Sequence, residues 1–146
     1  MSATRDLLVG LAQYLHDQGV GVYDPDEAYE PTSTVITMKN MPSTVPRAIM
    51  LTAYIPSDHP TVNLTQYRVQ VMSRGLPNDS LDVDDLGDSV FNVLHGLEHV
   101  DFGTAHVVQA LRVSSIPMGE DDNNRHERSD NYALDVNRPA TLNQPA

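Results

Sequence analysis

Apolar residues near the start of the chain fall at spacings of one, three and four: Leu7, Leu8, Leu11, Ala12 and Leu15. That is one stripe of an α-helix, and Ser2 or Thr4 stands where its N-cap belongs. Gly19 and Gly21 end it, a short "VGVY" follows, and "DPDEAYEPTS" reads as a loop marked by Pro25 and Pro31. From Thr34 the period changes to two. "TVITMKNM" is rich in β-branched residues and ends at Pro42, and "RAIMLTAYI" is a second strand closed by Pro56 and the turn "SDHP". "LTQYRVQVMSRG" alternates most clearly, with Tyr67, Val69 and Val71 on one face and Gln66, Arg68, Gln70 and Arg74 on the other. Such a strand belongs to an antiparallel or mixed sheet covered on one side.

Helical spacing returns in "LPNDSLDVDDLGDSVFNVLHGLEHV", where Leu86, Val90, Val93, Leu94 and Leu97 form a stripe and Ser80 or Asp82 is available as the cap. Asp84, Asp85 and Asp88 sit near its N-terminus, where the helix dipole favours negative charge. Gly96 and Gly103 allow the exit. "AHVVQALRVSSI" is a fourth strand and "RSDNYALDVNR" a fifth, with Tyr132, Leu134 and Val136 on one face. The order helix, three strands, helix, two strands predicts an α+β fold: a mostly antiparallel or mixed β-sheet packed by two amphipathic helices. "SIPMGEDDNNRHERSDNYALDV" then joins the last two strands as a long projecting β-hairpin with "GEDDNN" at its tip, since Asp and Asn bond their own backbone and tolerate positive φ. Residues 1–138 are expected to form one α+β domain and 139–146, "PATLNQPA", a flexible C-terminal tail.

The 146 residues suit one core, aliphatic with a few tyrosines because tryptophan is absent. Without cysteine there is no disulfide, thiolate metal site or thiol nucleophile. The first residues lack an unbroken apolar core and a cleavage site, and no run is long enough to span a bilayer. A soluble intracellular product, or part of something assembled inside a cell, is therefore expected, with no membrane partner. The net charge of −11 is unevenly placed: no basic residue lies between Asp6 and Lys39, or between Arg74 and Arg112, while acids crowd both intervals. Such a chain repels phosphate, which argues against adhesive nucleic-acid binding. A surface past which DNA slides without sticking fits the charge, and so does an acidic coat that maintains solubility.

Candidate chemistry is sparse. Asp121, Asp122, His126 and Glu127 offer oxygen and nitrogen ligands, but not at the offsets of a calcium loop, and no "HExxH" occurs. Arg125 and Arg128 among them favour a salt-bridged hairpin tip over a metal centre. His95 and His99 are spaced i, i+4, a permissible zinc pair on a helix, with His106 or Glu98 as a third ligand that no motif specifies. Imidazoles at a helix end also suit its dipole. "GxSxG" and "GxxxxGK[ST]" are both missing, and the single lysine, Lys39, has no glycine near it. No catalytic, cofactor-binding or metal-binding residue is assigned, and no cofactor is expected.

What remains points to contact rather than chemistry. The loops at 24–34 and 57–63 and the hairpin at 111–136 are long and polar, and such loops do the contacting while a scaffold holds them. Six methionines and open strand edges suit association between subunits.

From "LLVGLAQYLHDQGVGVYDP" through "PRAIMLTAY", "QYRVQVMSRG" and "DVDDLGDSVFNVLHGL" to "SIPMGEDDNNRHERSDNYAL", the chain resembles the minor capsid or tail-terminator proteins of long-tailed bacteriophages. The likeness runs from about Asp6 to Arg138 in unbroken order. Its most specific pieces are "VQVMSRG" followed by the "LHGL" helix, and the closing "G-x-D-x-N-x-R-x-E-R-x-x-N-Y". The resemblance implies a small α+β protein of the virion, without catalysis or cofactor, assembled in the host cytoplasm. It further implies a homohexameric ring that caps the tail tube protein, stops its polymerisation and docks the head connector or stopper protein. Genomic DNA would pass through such a ring without specific binding. Subunit-interface candidates on this reading are Arg68 and Arg74 on the polar face of the central strand, and Asp121, Asp122, Arg125 and Arg128 in the hairpin. Other readings stay open: another connector or tail-completion protein of the neck, a metal-dependent hydrolase using Asp121, Asp122, His126 and Glu127, or an acidic module that mimics DNA.

Overall fold

The first helix forms as its stripe predicts. In the computed structural model, which describes residues 2–145, α1 runs Ala3–Asp17 and buries Leu7, Leu8, Leu11, Ala12 and Leu15. Ser2, not Thr4, is its cap: the Ser2 hydroxyl accepts from the Arg5 N–H. Thr4 Oγ1 instead meets the Tyr67 hydroxyl at 2.8 Å. Three strands follow, β1 (Thr34–Met38), β2 (Arg47–Tyr54) and β3 (Leu64–Arg74). Then come α2 (Asp82–Leu94), β4 (Glu98–Phe102), β5 (Ala105–Glu120) and β6 (His126–Asn137).

The strands form one mixed sheet in the order β1-β2-β3-β6-β5-β4. Only β1 and β2 run parallel; the remaining pairs are antiparallel. Both helices lie on one face. Their stripes meet Ile36, Ile49, Leu51, Tyr67, Val69, Val71, Tyr132, Leu134 and Val136 in the main core. Residues of opposite parity, among them Thr52, Gln66, Arg68 and Gln70, line the other face. There a smaller apolar cluster, Val35, Val45 and Ala48 with Tyr29 and Met41, sits beneath the segment after β1.

Six strands replace the five expected, because α2 is shorter than its sequence pattern. It stops at Leu94, His95 is extended, and Gly96 turns at φ 84°, donating its N–H to the Ala110 carbonyl. The "LEHV" stretch therefore leaves the helix and becomes β4. The expected caps of α2 are also corrected. Leu81 holds the N-cap position with no side-chain cap, whereas Asp79 accepts from the N–H groups of Leu81 and Asp82.

The last two strands pair from His106↔Asn137 to Glu120↔His126. Projection is not found. β6 also pairs with β3 along its length, from Leu64↔Asn137 to Arg74↔Glu127, so the tip barely passes the end of the sheet. In the segment expected to be a tail, the Gln144 amide donates to the carbonyls of His59 and Val62, and Arg138 reaches the Gln144 side chain. Ala146, its last residue, lies outside the described residues. No helix among the described residues is long and apolar enough to cross a membrane.

Candidate functional site

The stretch that carried most of the candidate chemistry, 121–128, is organised by three arginines turned inward. Asp121 Oδ1 accepts from the backbone N–H groups of Asn123 and Arg125, an Asx turn that sets the tip, and Asn124 takes a φ of 58°. The Arg125 guanidinium closes back on Asp121 at 2.8 Å and donates to the carbonyls of Ser43 and Val45, both at 3.1 Å. Burial alone would raise the Asp121 carboxyl, but the hydrogen bonds from Arg125 and Asn123 outweigh it and hold it below the ordinary carboxylate range.

Arg74 approaches the same segment from β3. Its guanidinium donates to the carbonyls of Pro42 and Val45 and is almost wholly buried. Burial, then the positive charge of Arg125 beside it, pushes its pKa down. Two guanidiniums thus pin one loop from the sheet side, sharing the Val45 carbonyl.

Arg128 points to the helical face. It holds Asp130 through two bonds of 2.9 and 2.8 Å and reaches Asp84 at 3.2 Å and Asp88 at 3.0 Å on α2. The hydrogen bonds to Asp130 raise its pKa despite burial, so its charge is fixed. Arg112 lies 3.9 Å from Asp130 and stacks over the Phe91 ring at 4.0 Å. A third clamp joins Arg47 to Asp82, at 2.9 and 3.1 Å, with the Leu76 N–H donating to the same carboxylate.

Of the six interface candidates, Arg74, Arg125 and Arg128 are therefore buried and bonded within the chain, and Asp121 is engaged by Arg125. Asp122 is exposed at the tip, and Arg68 is half-buried on the open face, 3.5 Å from Gln66. The metal readings find no geometry. Among the described residues no three His, Cys, Asp or Glu side chains gather as a metal-binding group. His126 pairs loosely with Glu120 at 3.6 Å. His95 and His99 share no helix face: His95 Nδ1 accepts from the Arg112 N–H, while His99 lies in β4 near His106, which is held by Asp101.

Sequence reasoning missed the arrangement of charge in space. Of nine cationic side chains, only Arg5 and Lys39 are exposed, and neither makes an ion pair among the described residues. Both line one hollow of about 340 Å³ between α1 and the end of β1, with Leu8, Val9, Tyr23 and Met38. The acids mostly face outward, so the surface is more negative than the composition alone conveys. At the opposite margin, Val113, Ile116 and Met118 of β5 are about half exposed.

Residues 14–138 match the family model described as bacteriophage tail terminator protein. A chain in a solved structure, "Virion of native gene transfer agent (GTA) particle", is similar in fold: TM-score 0.61 at 10% identity, covering 88% of this chain and 90% of that one. No curated protein sequence matches.

Proposed function

Because the chain belongs to the bacteriophage tail terminator protein family, a family of structural phage tail proteins, we propose that its copies close into a hexameric ring that caps the tail tube. The observation that carries this reading is the family match across residues 14–138. In this role the ring ends polymerisation of the tube protein and offers its far side to the head connector or stopper. A cap of this kind needs two unlike ends, which a ring closed by rotation through a heterologous interface supplies. No reaction is involved; the protein acts by shape.

The placement of charge supports the role. With most cations turned inward and acids outward, the chain has few exposed cations with which to grip phosphate, and DNA threading the ring would pass with little adhesion. Asp122 and Arg68 are the interface candidates left free to meet a neighbour. Arg74, Arg125, Arg128 and Asp121 act one step back, by fixing the segments a neighbour would touch.

The test is deletion of the gene in the producing phage, with electron microscopy of the lysate. Tails of irregular or excessive length, separate from filled heads, are expected, and supplying the protein restores uniform tails. Joined particles with tails of normal length would refute the role. Heads detached from tails of normal length would instead favour a neighbouring neck component.

A further inference from the structure

The exposed cations and the free strand edge occupy opposite margins of the sheet. One margin is β1 with α1 beside it, where the hollow carries Arg5 and Lys39. Here the backbone edge of β1 is already covered, since Val22 bridges to Val35. The other margin is β5. Its first half is paired by β4 as far as Gln109; the last bonds on that side are the Gly96 N–H to the Ala110 carbonyl, the Ala110 N–H to the Leu97 carbonyl and the Arg112 N–H to His95 Nδ1. From Val113 to Glu120 no backbone bond reaches the outer side among the described residues. Side chains there are apolar and exposed, namely Val113, Ile116 and Met118, and the segment ends in the exposed Glu120.

We infer that a second copy of this chain seats the outer margin of its β5, Val113–Glu120, against the hollow between α1 and β1, with Glu120 meeting Lys39 and Arg5. Complementarity selects this occupant. The hollow has an apolar floor of Leu8, Val9, Tyr23 and Met38 and a cationic rim, and the β5 margin has three apolar side chains and an acidic end. Two copies at −11 each repel at a distance, and meeting opposite charges steers them towards this contact.

The same charges disfavour a twofold dimer through the hollow, where the cationic rim of one copy, Arg5 and Lys39, would face that of the other. Hollow against margin has no such conflict and uses unlike patches, the arrangement that closes into a ring. β1 and β5 stand four strand spacings apart in the sheet order, about 19 Å at ~4.8 Å each, so one copy engages a neighbour on each side. Pro117 lacks an N–H, and β5 carries register shifts at Arg112/Ser114 and Pro117/Gly119. These features disfavour a regular added strand, and the contact is made chiefly by side chains. The inference rests on the ring reading above for the number of copies, but not for the contact itself.

The chain has no cysteine, so introduced thiols report without interference. Single variants K39C and E120C, both at exposed positions, are mixed and treated with a short bismaleimide, and wild-type mass is followed by native mass spectrometry. Dimers joining K39C to E120C are expected in the mixture, with neither variant cross-linking to itself, and the double variant K39C/E120C should give a ladder ending at a closed ring. A second arm needs no thiol. K39E should weaken assembly roughly tenfold or more, and E120K in the same chain should recover it. Wild-type rings without cross-linking or charge rescue would overturn this contact and leave the ring standing. Cross-linked chains that never close would support the contact and sink the ring. Monomers without cross-links would remove both.

Discussion

Arg128 crosses α2 over Gly87, its guanidinium carbon 2.6 Å from where a Cβ on that glycine would stand. The absence of a side chain at Gly87 is what lets one arginine reach Asp130, Asp84 and Asp88 together. R128M should cost about 3–5 kcal/mol, because the Asp130 carboxylate is 1% exposed and keeps only the distant Arg112 as a charged partner. G87A should also destabilise, although alanine favours helix by about 1 kcal/mol, since the guanidinium must leave its carboxylates. Urea titration of both variants checks this. A G87A protein more stable than wild type would contradict the packing described.

Gly10 gives a second test in which helix propensity and packing oppose each other. A Cβ there would stand 2.2–2.5 Å from Phe102 atoms, including its own Cβ, so the aromatic ring of β4 lies directly on α1. G10A gains helix propensity but overpacks this contact, which costs about 1–3 kcal/mol. A net loss of up to about 2 kcal/mol is expected. In the G10A background, F102A should recover part of that loss. Thermal melts of the two single variants and the double variant decide it.

Asp6 ties α1 to the β4–β5 turn through two bonds from Thr104, its N–H at 2.8 Å and its hydroxyl at 2.7 Å. The Thr104 hydroxyl first, then its N–H, lower the Asp6 pKa from the ordinary 3.8. A carboxyl lowered by folding contributes stability that is complete above its unfolded pKa and is lost as pH falls through the folded one. The contribution is thus present at neutral pH and fades below about pH 4. D6N keeps an acceptor but cannot titrate. It should therefore be modestly less stable than wild type at pH 7, and the two pH–stability curves should converge as pH falls below about 4, leaving D6N with the flatter acid limb.

Much of this architecture was written in periodicity. The stripe Leu7, Leu8, Leu11, Ala12 and Leu15 gave α1, and the alternation of Tyr67, Val69 and Val71 gave the buried face of β3. What failed has physical reasons. "LEHV" kept helical spacing past the true end of α2, and the stop lay in one glycine at positive φ rather than in the apolar pattern. Asp82 looks like a cap because Asp commonly caps helices, but its partner Arg47 is far away in sequence and draws it inward. Alternation places Arg68 and Arg74 on one face, yet it cannot reveal that the loop near Val45 covers one and leaves the other open. The isolation of Arg5 and Lys39 follows from these same long-range pairings. No local pattern contains it.

The shared carbonyl of Val45 leads to the last prediction. Arg74 donates to it at 2.7 Å and Arg125 at 3.1 Å, and Val45 is 8% exposed. With either arginine replaced by methionine, the other still satisfies that oxygen and the mutual repulsion of the two charges disappears. R74M and R125M should therefore each cost less than their lost hydrogen bonds imply. In R74M/R125M the repulsion cannot be relieved twice, and a buried acceptor loses both donors. Both effects have the same sign. The double variant should lose more than the sum of the single variants, by about 1–2 kcal/mol. A urea double-mutant cycle measures the coupling, and hydrogen exchange at residues 39–46 should rise chiefly in the double variant. Strict additivity would mean that the two guanidiniums hold the loop independently.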